Sequence, residues 1–379
     1  MALKIKLPPV TYIDTSDLLR HMLAEIADAD QIAIDTESNS MYAYYGRVCL
    51  IQLSTRHQDY IIDPLAIEDI QPLGKLLVDE KIEKIFHAAE YDLICLKRDF
   101  DFDVHNLFDT MAAARLVGEK KFGLGDMLHK YFDVEVDKSH QRDDWGKRPL
   151  AKDSLIYAQM DTHYLHQLRD KLLAKLEQMG RIAEAQEVFA DVLRIEVRER
   201  EFDEHGFWKI GAPNRLNRRQ MAVLKELYLL REKIAEDENI PPFKVLNNKA
   251  LVNLARKQPR NYRSLKQTRG IGRRVLNYYG DDILEALHLG RESEPPQKPP
   301  RDDPDPIIAE RYIALHAWRK DVARQRNLDS SLIVAKQTLW DLAHHMPSNE
   351  QDLAQIDGFG TWRIKNYADE LLKVITKLR

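Results

Sequence analysis

Asp35-Thr36-Glu37 closes a short apolar run that begins at Gln31. Along a strand, residues i and i+2 project from one face, so these two carboxylates point the same way. Tyr157 and Asp161 stand four apart in a helical pattern from Ser154 to Arg169 and share one helix face. Asp92 falls in the first turn of a helical segment just behind a short apolar run ending at Phe86. The four carboxylates and the phenol form an all-oxygen donor set, which suits a hard divalent cation such as Mg2+ or Mn2+. No Cys/His spacing points to zinc. Each fragment alone has a plainer reading: a solvated turn, a carboxylate at the positive end of a helix, or surface packing. Their combination in this order is what suggests one site.

The elements that must position these residues read as α/β. Gln31 to Asp35, Arg47 to Leu53, Asp59 to Ile62 and Lys84 to Phe86 have strand character. Helical patterns alternate with them over Ser16 to Ala27, Ile67 to Val78, Tyr91 to Arg98 and Thr110 to Val117, with Asp109 as an N-cap for the last. A long helical pattern runs from Lys152 to about Leu176, and helical connectors from Ile182 to Glu201. Gly206 and Gly211-Ala212-Pro213 then punctuate the chain.

The remainder reads as a duplicated helical unit. With Asn239 set on Asn327, a constant offset of 88 places Leu251, Leu254 and Ala255 on Leu339, Leu342 and Ala343. The same offset places Pro259 on Pro347, Gly270-Ile271-Gly272 on Gly358-Phe359-Gly360, and Tyr279 on Tyr367. Between the units, Glu294-Pro295-Pro296-Gln297-Lys298-Pro299-Pro300, continuing to Pro304 and Pro306, has the composition of a semi-stiff linker. The expected division is 1–205 for the α/β part, 214–290 for the first helical unit, 291–306 for the linker and 307–379 for the second unit.

Bulk properties narrow the class. A chain of 379 residues suggests two or three domains. A hydrophobic share of 44% can build cores, while 31% charged residues and a mean hydropathy of −0.49 speak against a membrane protein. No run approaches the roughly 20 apolar residues of a membrane helix, and no apolar run follows Lys4 and Lys6 as a secretory signal would require. Cys49 and Cys95 lie in apolar surroundings and are expected to be buried, reduced thiols in a cytoplasmic protein. A net charge of −4 conceals a basic run, because residues 244–274 hold ten Lys or Arg and no Asp or Glu. Such a run forms a local phosphate-binding face in an otherwise acidic protein.

The ordered set Asp-x-Glu, Asp, Tyr-x-x-x-Asp resembles the DEDD exonuclease superfamily in its tyrosine subclass. The sister subclass has a histidine five residues before the last Asp, where this chain has Ile156. The segments Arg47 to Leu53, Asp63-Pro64-Leu65, Phe108-Asp109-Thr110, Asp137-Lys138-Ser139, Asp144-Trp145 and Arg148-Pro149-Leu150 are similar to bacterial ribonuclease D. The two helical units resemble HRDC domains. The resemblance covers essentially the whole chain and implies an α/β ribonuclease H-like exonuclease domain followed by two all-α HRDC domains.

The activity implied is 3′→5′ exoribonucleolytic hydrolysis with two divalent ions, acting on the 3′ ends of precursor tRNA and other small structured RNAs, by a monomer without membrane attachment. On the family pattern Asp35, Glu37 and Asp161 hold one ion, Asp35 bridges to the second, and Asp92 supports that one. Tyr157 orients the attacking water; a phenol with an ordinary pKa near 10 is a poor base at neutral pH. Thr36 and Ser38 are expected at the terminal sugar, Met41 or Tyr45 against the last base, and His87 at phosphate. Arg142 and Arg148 lie in a segment expected to form a flap. In the first helical unit Arg269, Arg273 and Arg274 flank the Gly-Ile-Gly hairpin and are expected to grip RNA, while the second unit, poorer in cations, mainly packs. A DNA exonuclease and a catalytically dead binding scaffold are the competing readings. The HRDC pair argues against the first, and the presence of all four carboxylates against the second.

Overall fold

The computed structural model describes residues 7–195, 202–299 and 304–379. Residues 1–6, the last six of the predicted connector (196–201) and the linker residues 300–303 lie outside the described residues.

Apolar runs with little polar interruption form the centre of a six-stranded mixed sheet. In chain order its strands are β1 (Thr11–Ile13), β2 (Gln31–Ser38), β3 (Val48–Ser54), β4 (Asp59–Ile62), β5 (Glu83–Phe86) and β6 (Leu107–Asp109). Their spatial order is β1-β4-β3-β2-β5-β6. β3 pairs antiparallel with β2 and β4, and the remaining pairs are parallel. Every residue of β3 and β4 is buried, as strands covered on both faces must be. The predicted first strand runs three residues further than expected, so Asp35 and Glu37 lie within β2 instead of at its end. The edge strands β1 and β6 have three residues each, too few for a periodic signal.

Helices α1 (Ser16–Glu25), α2 (Gln71–Val78), α3 (Glu90–Phe100), α4 (Thr110–Leu116), α5 (Leu124–Phe132), α6 (Lys152–His163), α7 (Leu165–Gln178) and α8 (Ile182–Leu193) accompany the sheet. The helix expected from Lys152 to Leu176 is two helices, divided at Tyr164. Asp109 caps α4 as expected, its Oδ1 accepting from the Ala112 N–H at 2.8 Å, and its Oδ2 accepts from the Ala89 N–H at 2.8 Å. One carboxylate thus ties the starts of α3 and α4 together.

The duplication is explicit in the helices. The first repeat has helices beginning at Arg218, Pro242, Asn248, Tyr262 and Arg273; the second has them at Pro306, Ser330, Lys336, Glu350 and Thr361. Every start is displaced by 88 residues. The left-handed residues follow the same offset: Asn239 and Asn327, Gln258 and Met346, Gly270 and Gly358.

The chain forms two compact units that cut across its linear order. One comprises the described parts of 1–38, 48–198 and 303–379, and so contains the sheet and the second repeat. Within it, Arg326 makes a two-pronged contact with Glu184 of α8 at 2.6 and 2.8 Å, and Arg363 pairs with Asp191 at 2.7 Å. Glu187 accepts from the Trp362 and Arg363 N–H groups at 2.6 and 3.2 Å. Three carboxylates on α8, spaced i, i+3 and i+7, hold this repeat. The other unit comprises 39–47 and the described parts of 199–302, and so contains the first repeat. There Asn239 Oδ1 accepts from the Tyr44 and Tyr45 N–H groups at 3.1 and 3.2 Å, and Lys244 Nζ lies 3.9 Å above the Tyr42 ring.

Candidate active site

β2 and α6 bring three of the expected residues together. Carboxylate oxygens of Asp35, Glu37 and Asp161 all lie within 4.8 Å of one another. Asp35 and Glu37 share a face of β2 because they are two apart; α6 packs over β2, β3 and β4 and presents Asp161 to that face. Tyr157 lies one turn earlier on α6, its ring centroid 6.2 Å from that of the buried Trp145.

Asp92 approaches from α3. Thr36, between Asp35 and Glu37 on β2, donates from both its hydroxyl and its N–H to Asp92 Oδ1, at 2.5 and 3.0 Å. Asp92 is therefore fixed by a β2 residue, with its second oxygen outside that pair of bonds.

Burial with like charges dominates the electrostatics. Desolvation, with Asp92, Asp161 and Glu37 as neighbours, holds Asp35 well above the usual carboxylate range. Desolvation, then the charges of Asp161, Asp92 and Asp143, pushes Glu37 up to about 9. Burial, then Asp92, brings Asp161 to about 8. Burial raises Asp92 to about 7 even though the two Thr36 bonds pull it down. Tyr157 is raised too, first by burial and then by Asp161, and stays a neutral phenol at any working pH. The causes raising these carboxylates are burial and the charge of neighbouring carboxylates. Asp161 Oδ2 is buried with no hydrogen-bond donor. Close-set, desolvated carboxylates with an orphaned oxygen fit a divalent cation, and all-oxygen donors fit Mg2+ or Mn2+.

The other expected contacts fare differently. Thr36, expected at the terminal sugar, spends both its N–H and its hydroxyl on Asp92 and so acts by holding a carboxylate. Ser38 Oγ lies 3.2 Å from the Tyr91 hydroxyl. Met41 and Tyr45 belong to the 39–47 segment grouped with the first repeat; both are exposed, and the Tyr45 hydroxyl bonds Glu236. His87 Nδ1 meets Thr110 Oγ1 at 2.9 Å, that hydroxyl donates to Phe86 O, and burial holds the ring below its usual pKa, so it is neutral. Arg148, expected in a flap over the site, instead braces the fold. Its five N–H groups go to Asp63 twice, at 2.5 and 2.7 Å, and to the carbonyls of Trp145, Lys147 and Cys49. No donor remains for RNA. Arg142 is exposed at the end of the 3-10 turn Lys138–Arg142.

Two residues near the carboxylates escaped the motif reading. Asp143, whose charge adds to the rise at Glu37, accepts from Ser154 Oγ at 2.6 Å and His140 Nδ1 at 2.8 Å. Gln52 lies directly opposite Asp35 in the β2–β3 register and is fully buried. Its signal was present: an amide inside the otherwise apolar run Val48 to Leu53.

In the first repeat, Asn247, Asn248, Lys249, Asn253, Arg256 and Arg269 line a groove of about 630 Å³. Arg273 and Arg274 open the first turn of the 20-residue helix Arg273–Glu292, which has no acidic residue in that turn.

No helix among the described residues is long and apolar enough to cross a membrane, and both cysteines are buried. Residues 10–177 match the family model described as 3′-5′ exonuclease, and 220–287 and 309–375 each match the HRDC domain. The chain is 34% identical over 263 residues to the Exosome complex component 10 homolog of Caenorhabditis elegans, covering 68% of this chain and 30% of that one. It spans only 24–30% of the length of the first curated relatives it matches. Ribonuclease D of Desulfotalea psychrophila is 31% identical over 276 residues, covering 72% of this chain and 74% of the relative. The crystal structure of Escherichia coli RNase D superposes with a TM-score of 0.65 at 25% identity, over 98% of this chain and 99% of that one. A mixed-sheet domain matched by the exonuclease model, paired HRDC repeats after it, and a bacterial relative matched through most of its length leave one conclusion: the chain belongs to the ribonuclease D family.

Proposed function

We propose that this protein is a 3′→5′ exoribonuclease releasing nucleoside 5′-monophosphates one at a time from RNA 3′ ends. The observation that carries the reading is the meeting of Asp35, Glu37 and Asp161 within 4.8 Å beside Tyr157. Asp35, Glu37 and Asp161 would hold one divalent ion, with Asp35 shared with a second that Asp92 supports. Two such ions, Mg2+ or Mn2+, supply Lewis-acid stabilisation of charge on the attacking and leaving oxygens. Thr36 holds Asp92 in place, and the neutral Tyr157 phenol orients the attacking water by a hydrogen bond. Tyr157→Phe should lower kcat by about 10²-fold or more with little change in KM, because positioning acts in the transition state. Equal kcat for both proteins in single-turnover assays would exclude that role.

RNA is the substrate class, and structured RNA such as precursor tRNA with a 3′ extension is the proposed target; the E. coli relative is described as an exoribonuclease involved in structured RNA processing. The division at 1–205, 214–290, 291–306 and 307–379, a cytoplasmic location and a monomeric state belong to the same proposal. The first repeat grips the RNA through Arg269, Arg273 and Arg274. Two arginines at the positive end of a helix repel its dipole, and a phosphate relieves that repulsion. In the second repeat the equivalent helix start holds the Glu187 carboxylate, so its own anion site is filled from within. Replacing the three arginines with Gln should weaken binding and flatten the log–log salt slope by about 2, at roughly 0.7 per lost phosphate contact on a single strand. An unchanged slope would remove these residues from the interface.

The test of the activity is digestion of matched RNA and DNA oligonucleotides and of 3′-extended tRNA, with and without Mg2+. Stepwise mononucleotides from RNA, only with metal, are expected. Internal cuts, preference for DNA, or no reaction with any divalent ion would overturn the proposal.

A further inference from the structure

Gln52 is a physical anomaly. It is completely buried in the middle of β3, yet neither Nε2 nor Oε1 has a hydrogen-bond partner. A buried polar group left unpaired is costly, and Gln52 has two such atoms whichever way the amide is turned. The register shows where the side chain points. Gln52 is directly opposite Asp35, and cross-strand partners project from the same face with Cβ atoms about 4.5–5.5 Å apart. That face is the one α6 covers, and Asp161 of α6 has an oxygen within 4.8 Å of one from Asp35. Asp161 Oδ2 is itself buried and without a donor.

We propose that Gln52 is a positioning residue of the active site: its amide hydrogen-bonds Asp161 and holds that carboxylate toward the ion it shares with Asp35 and Glu37. The terminal torsion of Gln is broad, so pairing needs no backbone movement. An amide has one end to donate and one to accept, and can meet Asp161 with or without its proton. His166 Nδ1 is another unpaired buried nitrogen, but the Asp161 carboxylate would be charged whenever it holds an ion, and a charged acceptor takes an amide donor about twice as strongly as a neutral one does. Hydrogen bonds of this kind fix the orientation of metal ligands, and their loss weakens ion affinity by about 10–100-fold. The inference rests on the reading of Asp35, Glu37 and Asp161 as ion-holding carboxylates.

The experiment compares the full-length wild type with Gln52→Leu and Gln52→Met. Mn2+ binding is followed by the electron paramagnetic resonance of free Mn2+, and melting is measured in EDTA. Both variants are expected to bind Mn2+ about 10–100-fold more weakly. Their metal-free melting temperatures should stay equal or rise, since two unpaired polar atoms leave the core. kcat should fall with KM for a short RNA unchanged. Mn2+ affinity equal to wild type in both variants overturns the proposal. A large fall in metal-free melting for both also overturns it, marking Gln52 as a packing group. A wild type that binds no Mn2+ sinks the underlying site reading before any Gln52 variant is compared, so the two failures are distinct.

Discussion

Asp161→Asn is expected to abolish nucleotide release, by about 10⁴-fold or more in kcat, while making the metal-free protein more stable at pH 8. The loss follows because an amide oxygen is a weak substitute for a carboxylate in a site that must compensate divalent charge. The gain follows from linkage. Asp161 and Glu37 have folded-state pKa values of about 8 and 9, above their unfolded values. The folded chain then binds more protons than the unfolded chain from about pH 4 upward. The stability these groups lend is fully present at acid pH and is lost as pH rises through about 8–9. At pH 8 the metal-free wild type carries the strain of adjacent buried carboxylates, and Asn removes one of them. Relief of about 1–3 kcal/mol would raise melting by roughly 2–4 °C per kcal/mol in a domain of this size. Thermal melts in EDTA at pH 5 and pH 8 test it. The wild type should melt lower at pH 8 relative to the variant, and Mn2+ should restore the wild type but not Asp161→Asn. A variant that melts below wild type at pH 8 without metal would show that the cluster is not strained.

Arg363→Ala should cost about 3–5 kcal/mol and release the second repeat from α8. Arg363 is 1% exposed and meets Asp191 at 2.7 Å, Glu187 at 3.9 Å and the Gly358 carbonyl at 2.7 Å. Burial keeps Asp191 above the usual carboxylate range even with Arg363 and Arg194 beside it, so removing Arg363 leaves a buried charge poorly compensated. The hairpin has no slack to absorb the change. A Cβ on Gly360 would meet the Glu187 carboxylate, and Gly358 has φ of +90° with a Cβ position 2.6 Å from Thr338 Oγ1. Urea denaturation of Arg363→Ala, Asp191→Ala and the double variant checks this. The double variant should recover part of the loss, because the stranded carboxylate is gone. A loss below about 1 kcal/mol for Arg363→Ala would mean that the Arg363–Asp191 pair does not hold the repeat.

What the amino-acid order itself determined was which side chains within each fragment share a face, because that rests on short-range geometry. Two carboxylates two apart on a strand share a face, and a tyrosine four residues before an aspartate shares a helix face, whatever the rest of the chain does. The repeat was equally legible, since an offset of 88 held from Asn239 onward and every helix start of the second repeat obeys it. Tertiary structure decided everything that depends on residues far apart in sequence. Only convergence of β2 with α6 set three carboxylates within 4.8 Å, and only the register of β3 put Gln52 opposite Asp35. Arg148 read as a free cation because its partners, Asp63 and Cys49, lie 85 and 99 residues away in sequence. The repeats diverged for the same reason. Nothing in Gly358-Phe359-Gly360 announces that Glu187 will fill its helix start, whereas the matching start in the first repeat holds arginines in its first turn. Local periodicity specifies faces; burial and long-range pairing specify which of those faces meet, and with them the pKa values and partners that give the site its chemistry.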